Sequence, residues 1–190
     1  MKSERRFSLD KILTAYFSDT SFSSATSFGS GHINDTFLIT DSAGKKYLLQ
    51  RINHQVFQDV AGLMNNMERV TRHLQQKLAG QADSHFTTIQ VIPTTEERLF
   101  YQDEEGNYWR VITFLPNSVT YDLVTSEDQA YQAGYAFGYF QQLLSDVPGN
   151  ELVETIPTFH DMKSRFAKFD LALEADMENR AQQAKPAIEF

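Results

Sequence analysis

The hydrophobic period of this sequence runs helical, alternating, helical and alternating again, and beyond Pro116 it is helical only. A chain that confines its strands to one stretch and closes on helices is neither a βαβ array nor a helical bundle. It reads as an α+β protein whose sheet is built from hairpins. Behind Ser8, a helix-capping residue type, Leu9, Ile12, Leu13, Tyr16 and Phe17 recur at helical spacing. Segments 22–28, 36–40 and 45–53 then read as a meander of three antiparallel strands, turned at Gly29-Ser30-Gly31 and at Asp41-Ser42-Ala43-Gly44. Leu63, Met67, Val70, Leu74 and Leu78 fall on one face of a helix expected over about 57–78. Segments 88–92, 98–102 and 108–115 are expected as strands, the last two joined by a hairpin at 103–107. Helices are expected over about 127–145 and along the stripe Phe159, Met162, Phe166, Phe169 and Leu173, with Asp161 placed to meet the start of the second. Gly134 and Gly138, one turn apart, would admit a close backbone.

Charge narrows the partners. Twenty-five acidic residues against 17 basic ones give a net charge of -8, which argues against a nucleic-acid groove or an anionic membrane as the main partner but leaves room for a small local phosphate site. The absence of cysteine removes disulfides, zinc–thiolate sites and thiol nucleophiles. The start is charged without a following apolar run, and no segment has the length of a membrane span, so a cytoplasmic location is expected.

The stretch Gly29-Ser30-Gly31-His32-Ile33-Asn34-Asp35 is a small-residue turn between two strands, where backbone N–H groups can approach a phosphate. A plain hairpin turn is the alternative. The third strand ends in Gln50-Arg51-Ile52-Asn53, and the helix after it contains Glu68. In kinase-like lobes a strand cation of this kind pairs with a helix acid that aims it at phosphates, and Arg51 with Glu68 is the pair available here. The alternative is a strand-edge charge and a solvated helix residue.

The strings GSGHINDTF, YLLQRIN, FQDVAGLMNNMERVTRHL, YWRVITFLP and IPTFHDMKSRF, in this order, resemble the N-acetylhexosamine 1-kinase branch of the aminoglycoside phosphotransferase and choline kinase superfamily over nearly the whole chain. The resemblance implies a protein-kinase-like amino-terminal lobe at 1–116, a five-stranded antiparallel sheet with one helix. A hinge connector and the first helices of an incomplete helical lobe would follow at 117–190. It implies ATP and Mg2+ as cofactors and a small sugar as acceptor. Gly29, Ser30 and Gly31 would cover the phosphates, and Phe114 and Leu115 would form the hinge beside adenine. His32, Asn34 and Asp35 would face phosphates or sugar, with a satisfied turn network as the other reading. Relatives carry a lysine on the third strand where this chain has Gln50 and Arg51, and either could point inward.

The same relatives draw their catalytic base and metal ligands from a loop with His, Asp and, five residues on, Asn. No Asp here has Asn five residues later. His32-Ile33-Asn34-Asp35 and Phe159-His160-Asp161 therefore fail, since positions 40 and 166 are Thr and Phe. No catalytic residue and no metal ligand is assigned within the chain. The expectation is a fragment, inactive alone, of an ATP-dependent sugar kinase, or else a non-catalytic nucleotide-binding or interaction module.

Overall fold

In the computed structural model, residues 7–18, 22–79 and 86–189 are described. Strands β1 (Phe22–Ser27), β2 (Asp35–Asp41) and β3 (Lys46–Ile52) form the expected meander behind α1 (Leu9–Thr14). Gly44, at φ +81°, turns β2 into β3, while the Asp41 carboxylate accepts the N–H groups of Ala43 and Lys45. Helix α2 covers Val60–Leu78 and begins three residues later than its apolar pattern suggests. Asp59 takes the cap, its carboxylate accepting the Gly62 N–H at 2.8 Å, and Phe57 packs into the core ahead of the helix. Ser8 stands at the start of α1 but makes no side-chain capping bond.

Strands β4 (Val91–Ile92), β5 (Tyr101–Gln102) and β6 (Tyr108–Thr113) complete the sheet. The order is β1-β2-β3-β6-β4, every pairing is antiparallel, and β5 lies beside the first part of β6. The expected five-stranded sheet is thus five positions wide but holds six strands. The two segments before β6 are shorter than their pattern. Thr94 accepts the Glu97 N–H and donates its own to Arg98, a turn with Glu97 at φ +62° that takes 94–98 out of the sheet.

The sheet separates two cores. On one face Ile12 and Leu13 of α1, with Tyr16 just past its end, pack on Ile39, Tyr47, Leu49, Trp109 and Val111. On the other, Val60 and Met64 of α2 pack on Ile52, Val91 and Ile112. The one flanking helix expected is therefore two, because α1 folds back over the face opposite α2.

Beyond Pro116 the structure is helical. Helix α3 (Glu127–Leu143) is capped by Ser126, and α4 (Met162–Ala175) by Asp161, whose carboxylate accepts the Ser164 N–H at 3.2 Å. Helix α5 is short (Lys185–Ile188). The chain divides into two compact units, one ending at Thr155 and one beginning at Ile156. Among the described residues no helix is long and apolar enough to cross a membrane.

Candidate functional site

Register decides which side chains share a face. In β3, Gln50 stands opposite Thr36 of β2 and Arg110 of β6, whereas Arg51 stands opposite Asp35 and Trp109. Neighbouring strand residues point to opposite faces. Arg51 goes with Leu49 to the α1 face. There its Nε donates to Asp35 Oδ2 at 2.7 Å, its NH1 group approaches Asn107, and its guanidinium lies 5.3 Å from the Phe7 ring centroid. Gln50 goes with Leu48 and Ile52 to the α2 face. The expected pairing of Arg51 with Glu68 is corrected by this parity: α2 lies on the other side of the sheet, and Glu68 is engaged by Arg72 one turn along its own helix, with Nε at 3.1 Å from Oε1.

The α2 face carries a polar row across three strands. Arg110 Nε donates to Gln50 Oε1 at 2.9 Å, and Gln50 Nε2 donates to Thr36 Oγ1 at 3.0 Å. The Arg110 NH1 group lies 3.3 Å from the Met67 sulfur and 3.8 Å from that of Met64. Burial draws the Arg110 pKa below the usual guanidinium value.

Next to this row, towards the end of β6, the α2 face is apolar and open. Leu38 and Leu48 are half-buried, while Ile39, Leu49 and Val111 on the opposite face are fully enclosed. Phe28 and Phe114 bound this shelf, their rings edge to face at 5.8 Å, and Lys46 lies 5.8 Å from the Phe114 centroid. A flat apolar floor with aromatic edges and polar groups at one end suits a planar heterocycle with a charged tail.

The turn after β1 rises beside that shelf. Gly29 holds φ +80°, a conformation that L side chains rarely adopt. A Cβ added at Gly31 would meet nothing within 4 Å, so the loop is open there. The Ser30 hydroxyl donates to Asp122 Oδ1 of the connector at 3.1 Å. His32 is exposed. Asn34 and Asp35 are drawn into the turn network, Asn34 Oδ1 accepting the Asn53 N–H at 3.0 Å and Asp35 binding Arg51. Past Phe114, the Leu115 carbonyl accepts the Ser118 hydroxyl at 2.8 Å.

The structure thus brings Gly29, Ser30, Gly31, Gln50 and Phe114 around one open face and sends Arg51, Asp35 and Glu68 to other partners. Two side chains at this face escaped sequence reasoning. Arg110 had a signal, being a charged residue inside an apolar central strand. Asp122 had none, because only the fold brings the connector to the Gly29 turn. Among the described residues no group of three His, Asp or Glu could hold a metal ion.

A family model described as "Phosphotransferase enzyme family" matches residues 24–189. Among solved structures, an amicoumacin kinase in complex with AMP-PNP and Ca2+ is 18% identical with a TM-score of 0.51, over 77% of this chain and 41% of that one. An aminoglycoside 2'-phosphotransferase-IIIa mutant in complex with GDP is 14% identical with a TM-score of 0.51, over 94% of this chain and 58% of that one. At such identities the likeness is one of fold. The chain spans about half the length of these two relatives.

Proposed function

Because this chain belongs to the phosphotransferase enzyme family, we propose that its sheet binds ATP on the open half of the α2 face, as the nucleotide-binding part of a small-molecule kinase. The observation that carries the reading is the apolar shelf of half-buried Leu38, Leu48 and Phe114 lying between the Gly29–Gly31 turn and the end of β6. Adenine would lie on the shelf beside Phe114 and Leu115, and the phosphates would lie under the turn, where open Gly31 leaves room for backbone N–H groups to approach oxygen. Mg2+ would accompany the phosphates, its protein ligands being expected from the family's loop with His, Asp and Asn, a spacing this sequence does not contain.

The acceptor we propose is a hydroxyl of a small sugar, the anomeric hydroxyl of an N-acetylhexosamine, on the strength of the strings quoted above. In this reading 1–116 is the nucleotide lobe and 117–190 the hinge with the first helices of a helical lobe. No residue of the chain is given the role of catalytic base, and Asp161 serves its helix as a cap. One observation favours a second reading, a module that associates with another protein: α3 carries no buried residue.

Calorimetric titration of Mg-ATP and of adenosine, with a phosphoryl-transfer assay on N-acetylglucosamine, tests the proposal. Both ligands should bind, ATP the more tightly. Gly31→Asp puts a negative charge into open space and should weaken ATP roughly tenfold or more while leaving adenosine alone. A folded chain that binds neither ligand would end the nucleotide reading.

A further inference from the structure

We propose that Arg110 of β6, and neither Gln50 nor Arg51 of β3, supplies the side-chain cation that meets the nucleotide phosphates. The inference rests on the nucleotide site proposed above and names the charge within it. On the α2 face, β3 presents Leu48, Gln50 and Ile52, none of them charged, and its one lysine there, Lys46, lies at the far hairpin beside Phe114. Arg51 is spent on Asp35 on the opposite face. The charge on the α2 face of the central strands is therefore Arg110, directly across from Gln50.

Three features point it to an anion. First, no Asp or Glu among the described residues forms an ion pair with Arg110. Its NH1 group meets only the sulfurs of Met64 and Met67, which are weak acceptors. A cation withdrawn from water without a carboxylate is unfavourable unless another anion completes it, and its lowered pKa reflects that withdrawal. Second, Gln50 orients it. The amide oxygen takes the Arg110 Nε–H and the amide nitrogen is committed to Thr36, so the guanidinium plane is fixed while its outer N–H groups remain for a ligand. A planar fork held this way matches phosphate oxygens. Third, the row leads to the loop: the Thr36 carbonyl accepts the Phe28 N–H at 2.9 Å, immediately before Gly29. The proposed phosphate cover and the guanidinium thus sit at two ends of one hydrogen-bonded path.

The competing role is a strut that ties β6 to α2 through its methionine contacts. To separate them, Mg-ATP and adenosine are titrated into the full chain and into Arg110→Met, Arg110→Lys and Arg51→Met, with thermal melts of each. Arg110→Met, whose thioether suits the Met64 and Met67 surroundings, should bind adenosine as the parent does and ATP roughly 10- to 100-fold more weakly, with a shallower salt dependence. Arg110→Lys keeps the charge without the fork and should fall between. It carries the test if the methionine variant does not fold. Arg51→Met should melt lower and keep the parent's ratio of ATP to adenosine affinity. Equal loss of both ligands in the Arg110 variants, or an unchanged ratio, would overturn the assignment and leave the nucleotide site standing. A parent chain that binds neither ligand would overturn both.

Discussion

Trp109 ties three distant pieces of chain together. Its ring is fully enclosed and meets Phe7 at a 5.0 Å centroid distance, its carbonyl accepts the Tyr16 hydroxyl at 2.6 Å, and its indole N–H donates to Asp103 Oδ2 at 2.8 Å. Asp103 also accepts the Asn107 and Glu105 backbone N–H groups and the Asn107 side chain. Burial pushes its pKa up, but the donors from Trp109 and Asn107 outweigh that and hold the carboxyl below the usual range. A depressed acid contributes stability that is present above its unfolded pKa, about 3.9, and is lost as pH falls through the folded value. Asp103→Asn should therefore melt lower than the parent near neutral pH, by about 1–2 kcal/mol in urea titrations. The gap should narrow as the pH is taken below about 4. A gap that stays constant across that range would mean that charge is not what the site uses. The hairpin at 103–107 was legible in the sequence from its Asp, Gly and Asn. That Asp103 gathers four donors was not, because the indole comes from the next strand. The choice between Gln50 and Arg51 was left open for a related reason: alternation separates them, yet only register against β2 and β6 says which side each takes.

At the scale of the element, α2 is held by what is missing from it. An added Cβ on Gly62 would stand 2.2 Å from Asp59 Oδ2 and 2.6 Å from Val153 Cγ2. One turn on, the Asn66 amide pairs with the Val153 backbone in both directions, Nδ2 to its carbonyl at 2.7 Å and Oδ1 from its N–H at 3.0 Å. Arg69 bridges to Glu151 on the next turn. Alanine normally favours a helix over glycine by about 1 kcal/mol, but here its methyl must displace both the Asp59 carboxylate and the Val153 side chain. Gly62→Ala should thus lower stability by about 1–3 kcal/mol, read as a drop in the urea midpoint at unchanged slope. A rise in midpoint would show that the 150–154 segment yields at little cost. The stripe from Leu63 to Leu78 announced this helix, whereas the docking of a segment some 90 residues away left no periodic trace. The segment 98–102 shows the opposite limit, its pattern cut short where Arg98 is drawn into the turn with Thr94.

Across the whole molecule, burial is uneven. Among the described residues the buried hydrophobic core lies in the sheet, α1 and α2, and in Tyr16 just past α1, while α3 exposes Tyr131, Tyr135, Phe137 and Phe140. Tyr131, Tyr135 and Tyr139 stack along one side of α3 at centroid spacings of 6.4 Å, with Phe86 against the last two. Added Cβ atoms at Gly134 and Gly138 would meet nothing within 4 Å, so the close packing anticipated at these glycines is not made among the described residues. An aromatic face of this extent should bind a hydrophobic dye such as ANS and promote association with rising concentration. Tyr135→Lys should reduce both, seen by fluorescence and sedimentation; a chain that is monomeric and dye-silent would show the face to be covered in solution. The order of elements was legible from the change of period at Pro116. The sheet's two-sidedness was less so, since nothing in the α1 pattern says which face it covers. That sidedness reaches further than packing. Along β3, Leu49 is sealed in the α1-side core and Arg51 shares its face, while Leu48 and Gln50 face the other way and are only half-buried. On the proposed nucleotide reading, one step along this strand divides side chains that close the α1 core from side chains beside the candidate site. Ligand preference in such a lobe is free to drift through alternate positions of a strand while the positions between them stay fixed.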